Sequence, residues 1–188
     1  MDTGLLVALI VAVVIVALIV ILVVAVLLPR RRRSHLRERF GPEYNRAVEE
    51  HGGRRDAERE LAQREKRHSR LDLRPLTPRA REEYSRGWAA IQERFVDSPI
   101  EAVREADDLV SRLMVERGYP TEGEEQRLAD LSVEHSAAMQ DYRAAREVRA
   151  RVDRGEAPTE ELREAMVRYR SLFADLLDEG SGENRGAD

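Results

Sequence analysis

Histidine is a common metal ligand and proton-transfer group, and this chain has four histidines. They are His35, His51, His68 and His135. Two ligands on one helix must be three or four residues apart to reach the same metal ion, and no two of these histidines have that spacing. We therefore expect each histidine on a solvated surface, and we expect no metal ion or other cofactor.

Adjacent acids offer no catalytic pair either. Asp107 and Asp108 are consecutive, so their side chains would point about 100° apart on a helix. Glu105 and Asp108 would share a face, for which a solvated surface is the simpler explanation. The chain has no cysteine, no glycine-rich phosphate loop and no G-x-S-x-G or H-E-x-x-H motif. These observations favour a protein that is not an enzyme.

Three segments of unlike composition make up most of the 188 residues. Residues 5–28 are apolar throughout, residues 29–76 carry 15 basic and 9 acidic side chains, and residues 77–180 carry 16 basic and 24 acidic ones. Residues 1–4 form a short amino-terminal segment, and residues 181–188 are predicted to be a disordered tail. Only residues 77–180 combine the length and the apolar content of a domain.

The apolar run at residues 5–28 predicts a single transmembrane helix. As a helix, 24 residues would extend roughly 36 Å, which exceeds the roughly 30 Å hydrocarbon thickness of a bilayer. A cleaved signal peptide is the competing interpretation, but it would need a basic start and an apolar stretch of about 7–15 residues. Gly4, Ala8 and Ala12 have a small-xxx-small spacing that would suit a homodimer of spans, although chance explains that spacing in an alanine-rich run.

Basic residues crowd one end of the predicted span. The arginines expected at the membrane surface are Arg30, Arg31, Arg32, Arg33, Arg37 and Arg39. Because basic residues stay on the cytoplasmic side, the amino terminus is predicted outside and everything after Pro29 inside the cell. Arginines at that position also attract anionic lipid headgroups. The localisation indicated is therefore the cell membrane, with the bilayer itself as a partner.

Residues 29–76 are predicted to be a charged, partly helical connector. Gly41-Pro42 suits a helix start and Gly52-Gly53 a helix stop. From Arg54 to Arg74 charges of both signs interleave, with Glu60 and Arg64 as an i,i+4 pair. Apolar residues are too few there to bury a face, so a solvated spacer is expected. The interleaved acids also dilute the positive field that nucleic acid would require, which argues against nucleic acid as a partner.

Residues 77–180 are predicted to be an all-α bundle of about five helices. Apolar residues recur at spacings of three and four, as in Tyr84, Trp88, Ile91 and Phe95, and no stretch alternates as a strand would. Thr77-Pro78 predicts one helix start, and the segments 98–101 and 121–124 predict two further starts with capping boxes. The segment DLSVEH, residues 130–135, predicts a break between helices whose exposed loop is a candidate binding edge.

The sequences of five segments resemble those of an uncharacterised family of short single-span membrane proteins from high-GC bacteria. These segments are RFGPEY (39–44), REKRHSRLDLRPLTP (64–78), ERFVDSP (93–99), MVERGYP (114–120) and DLSVEH (130–135). The resemblance implies an amino-terminal hydrophobic segment and a helical domain, and it brings no activity with it. We therefore expect a single-pass membrane protein that presents a helical domain for contact with an unknown protein. A membrane-to-nucleic-acid tether and a secreted or envelope protein with a cleaved signal are the alternatives.

Overall fold

A computed structural model of the chain describes residues 4, 12, 15–18, 33–121 and 123–178. Over these residues the secondary structure is helical, with turns and loops and no strand, which confirms the all-α class. The chain divides into two compact units, one ending at Glu38 and the other beginning at Arg39.

The predicted span at residues 5–28 lies outside the described residues, except for residues 12 and 15–18. Those five residues are helical and exposed. Within the part of the chain that the structure describes, no helix is both long enough and apolar enough to cross a membrane. The predicted tail at residues 181–188 also lies outside the described residues.

Seven helices with defined bounds lie between residues 42 and 178, of which only residue 122 is not described. They are α1 (Pro42–Glu50), α2 (Arg54–His68), α3 (Pro78–Asp97), α4 (Pro99–Glu116), α5 (Glu124–Leu131), α6 (Ser136–Asp153) and α7 (Thr159–Asp178). The starts of α1, α3 and α4 each carry proline in the first turn, where its missing N–H costs nothing.

The core of the second unit lies where α4, α6 and α7 pack together, and α3 packs on α4. The predicted stripe of α4, Val103 to Met114, is fully buried, as are Met139 and Tyr142 of α6. On α7 the predicted stripe from Leu162 to Leu176 is buried as well. Burial of these stripes is the main source of stability, because each removes apolar area from water.

The expectation of a solvated spacer is wrong for α2. Ala57, Leu61, Arg64 and His68 are buried along one face, and α2 packs on both α1 and α5. Two of these four side chains are charged or polar, so the buried face did not stand out as an apolar stripe. The compact unit therefore begins at Arg39, well before the boundary expected at Thr77.

The helix starts agree with expectation better than the caps do. The Thr77 hydroxyl accepts a hydrogen bond from the Ala80 N–H at 3.1 Å, as an N-cap should. Ser98 precedes α4 without a side-chain capping bond. The second predicted box is wrong, because the N-cap of α5 is Gly123, at a φ of 74°, two residues after the expected Thr121.

Candidate functional site

The arginines predicted at the membrane surface fall in different parts of the chain. Arg30 to Arg32 lie outside the described residues. Arg33 and Arg37 line an open cleft of about 420 Å³ in the first unit. Arg39 belongs to the second unit, where its guanidinium lies 3.9 Å from the carboxylates of Glu65 and Glu134. The contact of these arginines with a membrane surface stays a prediction.

Two of the four histidines are buried, so the expectation that all four lie on a solvated surface is wrong. His68 ends α2 and has its Nε2 atom 3.7 Å from the Glu134 carboxylate. His135 precedes α6 and has its Nδ1 atom 3.8 Å from the Asp175 carboxylate. The centroid of the Tyr119 ring lies about 6 Å from that of each imidazole. Among the described residues no group of three or more His, Asp or Glu is placed to hold a metal ion.

The loop at residues 130–135 is a break between α5 and α6, as predicted, but it is largely buried rather than exposed. Ser132 and Val133 are almost inaccessible, and Asp130 is 2% exposed. The Ser132 hydroxyl donates to the Ala129 carbonyl at 2.6 Å. The loop is therefore covered by the helices around it and does not offer a free binding edge.

The contact between α2 and α5 is a polar seam, formed by Glu60, Arg64, Arg67, Asp130 and Ser132. Both arginines donate to the Glu60 carboxylate at 3.2 Å. Arg67 also lies 3.5 Å from the Asp130 carboxylate. Burial opposes ionisation of Glu60, but the bonds from Arg67 and Arg64 outweigh it and lower the pKa of Glu60. The seam therefore holds α2 by charge as well as by apolar contact.

A cleft of about 750 Å³ opens beside the polar seam. Besides Arg64 and Arg67, it is lined by Arg46 and Arg143. Arg46 donates to Glu50 at 2.6 Å, and Arg143 donates to the buried Glu43, which joins α6 to α1. Because each of these arginines already has a carboxylate partner, the cleft is better explained as an ion-pair junction than as an anion site.

A second polar group that sequence reasoning missed surrounds Asp107. Its carboxylate lies 3.7 Å from the Arg146 guanidinium, and burial raises its pKa despite that cation. Tyr142 and Tyr169 pack edge to face beside it, 5.8 Å apart. Burial, together with the Asp107 charge, raises the pKa of Tyr169, so this phenol stays protonated. Asp107 follows Val103 by four residues, and that register could have identified it as an inward-facing acid.

The surface feature that best suits recognition is a groove between α3 and α7, which we call the α3–α7 groove. Both helices pack on α4, and the ring of Trp88 on α3 stacks on that of Phe173 on α7, with the ring centroids 4.8 Å apart. The cavity is about 200 Å³. Its lining includes Trp88 and Phe95 from α3, and Arg163, Met166, Val167 and Arg170 from α7.

The lining of the α3–α7 groove is apolar and positive. Trp88 and Met166 are buried, whereas Val167 is 66% exposed at the lip. Arg163 and Arg170 are the charged groups that line it, and no carboxylate does so among the described residues. An apolar concavity with a charged rim is typical of surfaces that recognise another protein. The predicted aromatic stripe of α3 thus serves both the core and this groove.

The chain matches no protein-family model, no curated protein and no solved structure. The resemblance to the uncharacterised membrane-protein family therefore stays a prediction.

Proposed function

We propose that this protein is a single-pass membrane protein whose helical unit, from Arg39 onward, binds a partner protein on the cytoplasmic side. The α3–α7 groove is the observation that carries the proposal. A helical unit with buried core stripes and an open apolar groove on a charged surface offers a partner the features that protein interfaces use.

The membrane part of the proposal is supported by the composition of residues 5–28 and by the arginines after Pro29. An uninterrupted apolar run of 24 residues favours insertion as a helix, because lipid offers no partner for unpaired backbone groups. Arg30 to Arg33 then favour retention of the following residues on the cytoplasmic side. In this proposal, anionic headgroups contact Arg30 to Arg33, Arg37 and Arg39.

Topology is tested by protease protection of the full chain carrying a carboxy-terminal tag. The tag should be cleaved in inside-out vesicles and protected in right-side-out vesicles, and the mature mass should match the complete chain. A mass lower by about 25–30 residues, or cleavage from outside, would instead indicate a signal peptide and an envelope protein.

Partner binding is tested by proximity labelling from the carboxy terminus of the full chain in its native cells. A matched control carries the same labelling enzyme on residues 1–38 alone, which keeps the membrane segment and removes the helical unit. The proposal expects proteins that are labelled reproducibly by the full chain and not by the control. Identical labelling by both proteins would contradict it.

A further inference from the structure

We propose that the α3–α7 groove binds an acidic amphipathic helix of the partner, an inference that rests on the function proposed above. The partner helix places an apolar stripe against the floor of the groove. Carboxylates beside that stripe pair with Arg163 and Arg170. The arrangement is the helix-in-groove mode of recognition, in which anchors recur at i, i+3 or i+4, and i+7.

The spacing of the groove residues supports a helical occupant. Arg163, Val167 and Arg170 follow the i, i+4, i+7 pattern on α7, so the two arginines start two turns apart, about 10 Å along the axis. Trp88 and Phe95 are seven residues apart on α3. Both walls therefore repeat with the two-turn period at which a facing helix presents its side chains.

The charge of the groove selects acidic side chains at the partner's flanks. Arg170 forms no ion pair within the part of the chain that the structure describes. Arg163 lies 3.2 Å from Glu160, and both side chains are largely exposed, so that pair contributes little and exchanges readily. Two cations on an apolar lip, with no carboxylate among the described lining residues, complement an occupant that carries acids beside an apolar stripe.

Segments of this chain fit the groove poorly. Residues 179–188 contain acids but a single apolar side chain, Ala187, and residues 5–28 contain no acid. A second copy docked groove to groove would bring the arginines of both copies together, because a two-fold interface sets equivalent patches against each other.

Other classes of ligand also fit less well than a helix. The cavity of about 200 Å³ is smaller than the roughly 300–1,000 Å³ of clefts that hold small molecules. One lipid phosphate would not bridge arginines that start about 10 Å apart on their helix. Two carboxylates two turns apart on a facing helix match that separation.

Trp88 provides a local readout, because it is the single tryptophan of the chain and lies in the groove. The full chain is reconstituted in phosphatidylcholine vesicles. It is titrated with a synthetic tryptophan-free helix that carries a leucine stripe, flanking glutamates and a nitroxide quencher. We expect saturable quenching of Trp88 emission. A peptide of the same composition, scrambled so that the leucines form no stripe, should quench far less.

Charge exchange tests the role of the arginines. The double variant Arg163→Glu, Arg170→Glu should weaken binding of the glutamate peptide by at least about tenfold. A peptide with lysine in place of glutamate should bind that variant better than it binds the unchanged chain. Arg168→Glu is the matched control, because Arg168 pairs with Glu164 away from the groove and its loss should leave binding unaltered.

A second matched pair tests the apolar contact. Val167→Glu places a charge on the lip of the groove and should reduce quenching, whereas Val96→Glu changes a valine that is 83% exposed and outside the groove. Equal effects of the two substitutions would contradict the assignment, as would equal binding of the glutamate and lysine peptides by the unchanged chain. Quenching by phosphatidylglycerol vesicles with nitroxide headgroups, but not by the peptide, would assign the groove to a lipid surface instead.

The proximity-labelling experiment separates failure of this inference from failure of the proposed function. If partners are labelled equally by the unchanged chain and by the Arg163→Glu, Arg170→Glu variant, the function stands and the groove assignment is overturned. If no protein depends on the helical unit for labelling, the function itself is overturned. Partners that are labelled by the unchanged chain but not by the Arg163→Glu, Arg170→Glu variant would support both the proposed function and the groove assignment.

Discussion

The buried faces of α2 and α7 contrast two ways of attaching a helix to the same unit. The face of α7 that is buried, from Leu162 to Leu176, is apolar apart from one phenol, and the helix packs against α4 and α6. The face of α2 buries Ala57 and Leu61 together with Arg64 and His68. Attachment of α7 therefore depends on the hydrophobic effect, whereas attachment of α2 also depends on ion pairs and on the turn that follows it.

This contrast has a consequence for local stability. Apolar packing has no charges to screen or titrate, whereas the polar seam loses strength when its charges are screened or neutralised. Regions with fewer buried apolar contacts open at lower free energy than the core does. We therefore expect α1 and α2 to detach from the unit before α4, α6 and α7 separate.

The largest expected effect is at Gly118, where the segment after α2 crosses the turn after α4. The Arg74 N–H donates to the Arg117 carbonyl at 2.9 Å. A Cβ atom on Gly118 would lie 2.4 Å from the Asp72 carbonyl oxygen, and its φ of +98° disfavours other residues. Gly118→Ala should lower the free energy of unfolding by about 4 kcal/mol, from backbone strain plus overpacking. Urea unfolding followed by Trp88 fluorescence measures this.

Gly155 is the control for backbone conformation alone. Its φ is +71°, but nothing lies within 4 Å of a Cβ atom there. Gly155→Ala should therefore cost about 1 kcal/mol. Equal losses for the two alanine variants would show that the backbone at Asp72 shifts at little cost, so that its contact with Gly118 does not hold the segment after α2 against the turn after α4.

Leu61→Ala tests whether the buried apolar side chain of α2 stabilises its helix as strongly as one in a core helix does. Leu61 and Leu172 of α7 are both fully buried. Each alanine variant should lose about 3 kcal/mol in its own region. Hydrogen exchange should show faster opening of α1 and α2 for Leu61→Ala, and of the whole unit for Leu172→Ala. Unchanged protection of α2 in Leu61→Ala would contradict the packed arrangement and support a solvated spacer.

The same contrast explains what the sequence could predict. Hydrophobic periodicity identified α3, α4, α6 and α7, because these helices bury stripes of apolar residues at spacings of three and four. It failed for α2, because burial of Arg64 depends on Glu60, on the same helix, and on Ser132, which is 68 residues away. The sequence of a helix with charges of both signs has the same pattern whether its charged residues are solvated or form ion pairs with another helix.

The candidate site was predictable in part for a related reason. The stripe that includes Trp88 and Phe95 was recognised as a core face, and Trp88 is indeed buried. That this stripe also forms one wall of a groove depends on where α7 lies relative to α3, which no local pattern contains. Arg163 and Arg170 likewise stand out only once the lining is known to hold no carboxylate among the described residues.

A smaller effect is expected at the helix N-caps. Thr77 and Ser98 occupy equivalent positions, but only one of them makes a side-chain capping bond. Thr77→Ala removes the hydroxyl that accepts from the Ala80 N–H and should cost about 1 kcal/mol. Ser98 occupies the same position before α4 but makes no such bond, so Ser98→Ala should cost a few tenths of a kcal/mol at most. Thermal unfolding of both variants measures the difference. A larger loss for Ser98→Ala would reverse the assignment.

The smallest and most selective effect is the opposite response of two carboxyl groups to acid. The pKa of Glu60 is lowered in the folded state, so its stabilising contribution is present above its ordinary value of 4.5 and is lost as pH falls through the folded value. The pKa of Asp107 is raised by burial, so its contribution is present below its ordinary value of 3.8 and is lost as pH rises through the folded value. Lowering the pH should therefore reduce the contribution of Glu60 to folding stability and increase that of Asp107.

Two isosteric variants separate these contributions. Glu60→Gln removes the group that loses its stabilising charge in acid, so its unfolding free energy should fall less steeply than that of the unchanged chain as the pH is lowered below the ordinary pKa of 4.5. Asp107→Asn removes the group that gains in acid, so its curve should fall more steeply. Urea unfolding at a series of pH values gives both slopes. Because the two expected changes have opposite sign, a general loss of stability in either variant cannot imitate the pair, and two slopes that change in the same direction would contradict the contrast between seam and core.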